Sequence, residues 1–193
     1  MPLGSRKNLA GLIPKNTMIN TTIHTLLTGG IVVVRTDTIY GIIARAADEA
    51  AVKKVYGVKK RQADKQCIVL IADASSVPAH AELIEHYSFT AAVPTSVVVP
   101  VSDEPLWITR HSDSVAYRVV SNDFLKQVIA KVGPVIAPSA NPEGQLPAKN
   151  IKEAENYFGN KVDLYVDGGE VPENIHASRI IRINPDGTVE QLR

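Results

Sequence analysis

Apolar residues alternate between two patterns along the chain, helical spacing and short continuous runs. In residues 19–27 they lie three and four positions apart, and Gly29 and Gly30 then end the predicted helix. Residues 31–34 form a β-branched run that is typical of a buried strand. The start of the chain therefore predicts a helix followed by a strand. The residues at helical spacing are Ile19, Ile23, Leu26 and Leu27.

This alternation continues to the end of the chain and predicts a single α/β domain with a twisted mixed sheet. Asp48, Ser121 and Asn150 can each cap a helix, because a short polar side chain accepts a hydrogen bond from the first turn. The inner faces of these helices carry Val52, Val55, Tyr56 and Lys59 in the first and Leu125, Val128, Ile129 and Val132 in the second, while the third continues to about Phe158. Strands are predicted at 68–71, 97–101, 114–120, 135–136, 180–183 and 189–192, with a hairpin turn at Asn184-Pro185-Asp186-Gly187.

Composition narrows the class of protein. The 193 residues are 45% hydrophobic and carry a formal net charge of +1, which excludes a polycation that binds nucleic acid by bulk electrostatics. The aromatic content of 5% argues against a surface for base stacking. The single cysteine, Cys67, excludes an intrachain disulfide and is expected to be a small buried residue. Because the sequence contains neither a membrane-span pattern nor a signal-peptide core, we expect a cytoplasmic protein without membrane contact.

Several common catalytic motifs are missing from the sequence. The five histidines are scattered without the spacing of metal ligands, so we predict no metal site. The sequence contains no Gly-x-Ser-x-Gly nucleophile elbow, no P-loop and no Gly-x-Gly-x-x-Gly fingerprint. A P-loop NTPase and a dinucleotide dehydrogenase are therefore disfavoured.

Two polar clusters directly follow predicted strands. Residues 35–41 follow the first strand, and Ser139-Ala140-Asn141-Pro142 follows residues 135–136. Hydroxyl, carboxylate and amide groups at the carboxyl end of a strand suit a small polar ligand. Turn chemistry explains the same residues, with an ordinary strand-to-helix turn as the alternative for residues 35–41.

A basic cluster lies between the two polar clusters. Where a helix unravels into a loop, Lys59 and Arg61 can both reach one anion, since Arg offers a fork and Lys a point charge. A solvated basic helix face is the alternative interpretation. Six of the 21 basic residues fall in this cluster: Lys53, Lys54, Lys59, Lys60, Arg61 and Lys65.

In combination, these clusters resemble the YrdC-like domain of the threonylcarbamoyl-AMP synthases, a family also called TsaC. The similarity runs from about Thr21 to Arg193, so we assign residues 21–193 to this domain. Residues 1–20 are assigned to an N-terminal extension or cloning remnant and the start of the first helix. The resemblance implies a short, single-domain form with a concave basic cavity. The matching residues are Thr36-Asp37-Thr38-x-Tyr40-Gly41, Lys59-x-Arg61, Ser114-Val115-Ala116-Tyr117-Arg118-Val119, Ser139-x-Asn141 and Ser178-Arg179-Ile180-Ile181.

The resemblance implies a nucleotidyltransferase. It would join L-threonine, bicarbonate and ATP, with Mg²⁺ on the phosphates, into threonylcarbamoyl-AMP and pyrophosphate. A threonylcarbamoyl transferase complex would then modify the adenosine beside the anticodon of tRNA, and weak contact of this chain with RNA or tRNA is left open. Carried over residue by residue, the resemblance places Thr36, Arg118 and Ser178 around threonine, and Lys59, Arg61, Ser114, Ser139, Asn141 and Arg193 around ATP. The expected catalytic cations are Lys59, Arg61 and Arg118, because the reaction needs positioning and positive charge rather than a side-chain nucleophile.

Several residues depart from the family pattern. Residues Ala92-Val93-Pro94-Thr95-Ser96 stand where the family usually has Pro-Gly-Pro-x-Thr, which removes a glycine that could approach a phosphate closely. Two alternatives to the synthase remain. One is a catalytically degenerate member that binds RNA or nucleotide, with residues 53–65 as the RNA contact, and the other is a carbamoyl-adenylate enzyme with a different amine or carbamoyl donor. The other departures are Arg35, Gln62, Leu70, Arg179 and Arg182.

Overall fold

The structure is a computed structural model that describes residues 14–90, 93–184 and 186–193. The predicted N-terminal segment up to residue 13, Ala92 and Pro185 lie outside the described residues. The strands are β1 (Val32–Arg35), β2 (Tyr40–Arg45), β3 (Val69–Ile71), β4 (Thr95–Pro100), β5 (Ser114–Val119), β6 (Val135–Ile136), β7 (Leu164–Val166), β8 (Arg179–Ile183) and β9 (Val189–Gln191). The helices are α1 (Lys15–Leu27), α2 (Glu49–Lys59), α3 (Ala81–Thr90), α4 (Leu106–Thr109), α5 (Asp123–Val132) and α6 (Ile151–Phe158).

These strands form one mixed sheet in the order β7-β1-β2-β6-β3-β5-β4-β8-β9. The pairs β1–β7, β3–β5 and β4–β8 are parallel, and the other neighbours are antiparallel. The predicted single α/β domain with a mixed sheet is confirmed, as is the β8–β9 hairpin. Parallel pairs require long crossovers, so residues far apart in sequence meet at the centre of the molecule.

The two faces of the sheet carry separate apolar cores. One core is covered by α2, α3, α4 and α6, which contribute residues such as Val55, Ile84 and Phe158. The other core lies under α1 and α5 and includes Leu26 and Leu125. Because both faces are covered, the central strands are buried on both sides, which explains their continuous apolar runs.

Side-chain caps begin three of the helices. Asp48 accepts a hydrogen bond from Ala51 N at 3.0 Å, and Asn150 accepts one from Glu153 N at 3.0 Å, as predicted. The prediction that Ser121 caps α5 is wrong. Asn122 lies immediately before the first helical residue and accepts from Leu125 N at 3.1 Å, a position that Ser121 precedes by one residue.

The sequence pattern predicts no element at β2, α3, α4 or β7. A strand-to-helix turn was the alternative for residues 35–41, and it is wrong because the chain reverses at residues 36–39 and returns as β2. Gly41 permits this tight return. A Cβ at this position would lie 3.3 Å from Thr36 Cγ2 and 3.4 Å from the Pro138 carbonyl oxygen. The β1–β2 turn is thereby held close to the segment that follows β6.

Candidate active site

A cavity of about 310 Å³ opens beside the β1–β2 turn. Its wall is built from that turn and the start of β2, the segment before β3, the end of β5, the segment after β6 and both ends of the β8–β9 hairpin. Its lining includes six of the nine residues predicted for the site: Thr36, Arg61, Arg118, Ser139, Ser178 and Arg193. The charged side chains of the described lining are three arginines, so the cavity suits anionic ligands.

Thr36 is fixed by its own turn. Its hydroxyl donates to the Ile39 carbonyl oxygen at 2.8 Å and lies 3.0 Å from the Thr38 hydroxyl. The backbone N–H of Thr36 also donates to Ile39 O at 3.1 Å. These bonds hold the turn at the rim of the cavity in one conformation.

Arg118 reaches the cavity from β5 and pairs with Asp37 of the β1–β2 turn. Its Nε lies 3.5 Å from Asp37 Oδ2, and both side chains are 5% exposed. Asp37 Oδ1 is buried without a hydrogen-bond partner among the described residues. Burial lowers the pKa of Arg118 and the Asp37 carboxylate opposes that shift, but the guanidinium stays charged at physiological pH. A buried arginine with one carboxylate partner can receive a second anionic group from a ligand.

The end of α2 sends Lys59 and Arg61 in different directions. Lys60 adopts a left-handed conformation with φ 53°, which ends the helix, and Arg61 N then donates to Tyr56 O at 3.0 Å. Arg61 lines the cavity, where its Nη2 donates to Gln66 O at 2.6 Å. Lys59 is 1% exposed, and its ammonium donates to the carbonyl oxygens of Ser139 and Asn141. Lys59 therefore holds the wall of the cavity from behind.

The burial of Lys59 predicts a pH-dependent contribution to stability. Burial, reinforced by the charge of Arg61, lowers the pKa of Lys59 from 10.5 to about 8. Between these values the unfolded chain binds the proton more tightly than the folded chain. The free energy of unfolding therefore rises with pH over this window, by up to about 3 kcal/mol. We expect the difference in urea unfolding free energy between the wild type and Lys59→Met to increase from pH 7.5 to pH 10.

The matched control is Lys53→Met, because the Lys53 side chain is 66% exposed in its pair with Glu49. Its difference from the wild type should stay flat across the same range. A flat or decreasing difference for Lys59→Met would show that the folded state does not disfavour the charged amine.

Ser178 and Arg193 meet at the far side of the cavity. Arg193 donates to the Ser178 carbonyl oxygen through Nε at 3.1 Å and through Nη2 at 2.9 Å. The Ser178 hydroxyl lies 3.1 Å from the hydroxyl of Ser96, which is fully buried on β4. Burial lowers the pKa of Arg193, and the charge of Arg61 lowers it further. The two guanidinium groups are therefore close enough in the cavity to interact electrostatically.

Ser114 and Asn141, like Lys59, do not line the cavity. The Asn141 amide nitrogen donates to Pro142 O at 3.0 Å and to Gln145 O at 2.7 Å. Its Oδ1 accepts from the hydroxyl of Ser139, which does line the cavity, at 2.6 Å. Ser114 begins β5, and its hydroxyl lies 3.2 Å from that of Ser112. These two residues shape the wall around the lining residues.

The basic cluster does not form a continuous patch. Lys53 pairs with Glu49 at 2.7 Å, Lys54 with Asp163 at 2.6 Å, and Lys65 with Glu143. Lys59 is also turned inward, so most cations of the basic cluster already have acceptors within the protein. This arrangement does not favour RNA binding along residues 53–65, because phosphate contacts need cations free to release counterions.

The departures from the family pattern lie both inside and outside the site. Ser96 bonds Ser178, whereas Leu70 is fully buried in the core under α5. Arg35 Nη1 donates to Gly168 O at 3.1 Å, beside the β1–β2 turn. The remaining departures are Gln62, which is exposed, Arg179, which donates to the Thr95 hydroxyl at 3.3 Å, and Arg182, which pairs with Glu190 at 3.7 Å on the surface.

Gln66 and Cys67 are among the lining residues that were not predicted as part of the site. Cys67 is buried, as expected, but it also lines the cavity, where its thiol lies 3.4 Å from the Tyr56 hydroxyl. Gln66 precedes it and lines the same wall. Their position directly after the basic cluster and before a buried strand is the signal that could have identified them.

Neither a membrane-spanning helix nor a metal-binding cluster is present among the described residues. No helix there is long and apolar enough to cross a bilayer. In the same ranges, no group of three or more His, Cys, Asp and Glu residues is placed to hold a metal ion.

Comparison with known proteins identifies the family. The family model for Sua5, YciO and YrdC, described as "Telomere recombination", matches residues 24–193. The threonylcarbamoyl-AMP synthase of Coxiella burnetii is 29% identical over 157 residues, which cover 78% of this chain and 84% of that protein. The threonylcarbamoyl-AMP synthase of Pyrococcus abyssi is 33% identical over 162 residues, but the chain spans about half of its length, 47%.

A solved structure agrees with the sequence relatives. Sua5 of P. abyssi, crystallised as a complex with L-threonine, superposes with a TM-score of 0.82 at 28% identity and covers 94% of this chain and 54% of that one. The shared fold and the match over residues 24–193 lead to one conclusion. The chain belongs to the Sua5/YciO/YrdC family.

Proposed function

We propose that the chain is a threonylcarbamoyl-AMP synthase that joins L-threonine, bicarbonate and ATP and releases pyrophosphate. The observation that carries this proposal is the cavity lined by Arg61, Arg118 and Arg193. The relatives named above and the threonine complex of P. abyssi Sua5 support it. Three fixed cations in one small cavity suit a carboxylate together with a triphosphate.

L-Threonine is assigned to the end of the cavity near the β1–β2 turn. Arg118 would donate from its terminal nitrogens to the threonine carboxylate, while Asp37 keeps the guanidinium in place. Thr36 lines this end and Ser178 lines the opposite side of the same cavity, and their hydroxyls would complete the polar contacts. This arrangement leaves the amine of threonine free to react.

The triphosphate is assigned to the end near Arg61 and Arg193. The neutral amine of threonine adds to carbon dioxide from bicarbonate and loses a proton, which forms a carbamate. A carbamate oxygen then attacks the α-phosphorus, the bond between that phosphorus and the α,β-bridging oxygen breaks, and pyrophosphate leaves. Arg61 and Arg193 would offset the charge that develops on the phosphoryl oxygens, and Ser139 would donate to one of them.

Lys59 and Asn141 are proposed as positioning residues rather than substrate contacts. The Lys59 ammonium fixes the carbonyl oxygens of Ser139 and Asn141, and the Asn141 side chain holds the Ser139 hydroxyl. Ser114 is proposed to support the same wall. These residues would act on ATP through the shape of the loop after β6.

Magnesium enters the proposal as part of the nucleotide substrate. Among the described lining residues the polar side chains carry guanidinium, hydroxyl and amide groups rather than carboxylates, which are the ligands that Mg²⁺ prefers. The phosphates and water would therefore hold the ion. When bound, it would share with Arg61 and Arg193 the neutralisation of the phosphates.

The test is release of pyrophosphate from ATP and bicarbonate, with and without L-threonine. We expect release that requires both threonine and bicarbonate, and L-serine in place of threonine serves as the matched control amine. Release without threonine would indicate a different amine and overturn the threonine assignment. Folded protein that binds ATP but releases no pyrophosphate would support a degenerate member, and RNA binding would then be measured against salt concentration.

The product suggests the next step. Threonylcarbamoyl-AMP is a mixed anhydride, so a threonylcarbamoyl transferase complex would consume it by transfer to the adenosine beside the anticodon of tRNA. This chain would act as the supplier of the activated group. The name of its relatives, threonylcarbamoyl-AMP synthase, supports the same product.

A further inference from the structure

Gln66 presents a hydrogen-bond acceptor in a fixed orientation on the cavity wall. Its Nε2 donates to Thr109 O at 2.7 Å and to Ser114 O at 2.6 Å. A primary amide has two N–H donors, and both are used here. Because carbonyl oxygens can only accept, rotating the amide by 180° would place oxygen against oxygen, so the orientation is determined by the protein.

The remaining polar atom of this side chain is Oε1. It has no hydrogen-bond partner among the described residues, and it is not one of their buried, unpartnered atoms. Gln66 lines the cavity, and because its Nε2 is occupied by the wall, Oε1 is the side-chain polar atom left for a donor from a bound ligand. The site therefore combines arginine donors for anions with one neutral acceptor.

The neighbours of Gln66 determine which substrate it would contact. Its backbone carbonyl oxygen accepts from Arg61 Nη2 at 2.6 Å, and its amide is bonded to the carbonyl oxygen of Ser114. Arg61 is assigned to the triphosphate under the proposed function. Gln66 therefore lies at the nucleotide end of the cavity, apart from the Asp37–Arg118 pair.

The chemistry of ATP limits the donors that could reach Oε1. Its ionised phosphates offer only acceptors, which suit the arginines. Its N–H and O–H donors belong to the nucleoside, namely the 6-amino group of adenine and the two ribose hydroxyls. We propose that Gln66 Oε1 accepts a hydrogen bond from the nucleoside part of ATP and thereby selects the nucleotide, an inference that rests on the proposed function.

The test is equilibrium binding by calorimetry, which requires no turnover. Four nucleotides are compared on the wild-type protein: ATP, purine riboside triphosphate without the amino group, 2′-deoxy-ATP and 3′-deoxy-ATP. We expect the analogue that lacks the contacted donor to bind about 3- to 10-fold more weakly than ATP, as is typical for one neutral hydrogen bond. The identity of that analogue distinguishes the amino group from the hydroxyls. Equal binding of all four nucleotides would overturn the proposal without any variant.

The variant arm separates a direct contact from support of the wall. Gln66→Met keeps the side-chain length but removes the acceptor and both bonds to the wall. We expect it to weaken ATP binding by a similar factor and to remove the difference between ATP and the sensitive analogue. An unchanged difference in Gln66→Met would mean that Gln66 only supports the wall, which overturns the proposal. Gln62→Met is the control, because Gln62 is exposed on the same loop outside the cavity.

The outcomes also separate this inference from the synthase assignment. Discrimination among the nucleotides that Gln66→Met removes, without pyrophosphate release, would overturn the assignment as a synthase and retain the role of Gln66. Pyrophosphate release without such discrimination would support the assignment as a synthase and overturn the role of Gln66. Failure of the wild type to bind ATP would overturn both.

Discussion

Arg118→Gln is expected to reduce threonine-dependent pyrophosphate release by about 10²- to 10³-fold and to destabilise the fold, and adding Asp37→Asn should restore only the fold. Loss of one fixed cation that contacts the reacting substrate costs about 10²- to 10³-fold in rate, by analogy with the loss of an oxyanion-hole donor. The same substitution leaves the buried Asp37 carboxylate without its counter-ion, which costs about 3–5 kcal/mol of stability. The double variant replaces the ion pair with two neutral amides. Urea unfolding and initial rates of pyrophosphate release measure the two effects separately.

A matched control for Arg118 lies at the surface. Arg182 pairs with Glu190 at 3.7 Å, and its side chain is 47% exposed. Arg182→Gln should change stability by no more than about 0.5 kcal/mol and leave turnover unchanged. Recovery of turnover in the Arg118→Gln/Asp37→Asn double variant would contradict the role of Arg118 in binding threonine. If the double variant recovers neither turnover nor stability, the Asp37–Arg118 pair contributes more to the fold than charge neutralisation.

Arg61→Met is expected to reduce pyrophosphate release by about 10²-fold or more, while Lys65→Met should leave it nearly unchanged. Both cations belong to the loop after α2 and both lie near Glu143, but only Arg61 lines the cavity. Arg61 stabilises its loop through backbone carbonyl oxygens, so a stability loss of about 1–3 kcal/mol accompanies the substitution. Initial rates at saturating and limiting ATP, with circular dichroism as a check of folding, measure the effect.

The two variants also report on the position of the nucleotide. If Arg61 contacts the phosphates, Arg61→Met weakens ATP binding or slows transfer but leaves the KM for threonine unchanged. Equal losses for Arg61→Met and Lys65→Met would instead indicate a general electrostatic effect of the loop. In that case the assignment of Arg61 to the triphosphate is wrong.

Local sequence patterns were sufficient for much of the fold. β-Branched runs identified β1 and β6, and Asp48 and Asn150 were recognised as caps because one polar atom satisfies the first helical turn. The β2 strand was not predicted because the turn before it has the polar composition of a loop that leads into a helix. Only the pairing of Val33 with Ile42 shows that the chain reverses there, and that pairing is tertiary information.

The candidate site shows the same division between local and tertiary information. Helical spacing placed Lys59 on the inner face of α2 beside Val55 and Tyr56, and its burial confirms that prediction. That burial makes direct contact of Lys59 with a ligand less favourable than the motif suggested. The role of Gln66 could not be predicted, since its orientation depends on the Thr109 and Ser114 carbonyl oxygens, which are 43 and 48 residues away.

The order of strands in the sheet also governs how the molecule is assembled during synthesis. β1 can pair with β7 only after β7 has been synthesised, because Val32 pairs with Leu164. In the same way, β4 can pair with β8 only after β8 has been synthesised. Such distant parallel pairing imposes a large loop-closure cost before the contacts compensate for it, which makes folding slow. A nascent chain that ends before Ser178 and Arg193 also lacks one wall of the cavity. Ligands of that cavity can therefore stabilise the folded domain but not a nascent chain that lacks Ser178 and Arg193, and the strand edges of such a chain stay exposed until β7 and β8 have been made.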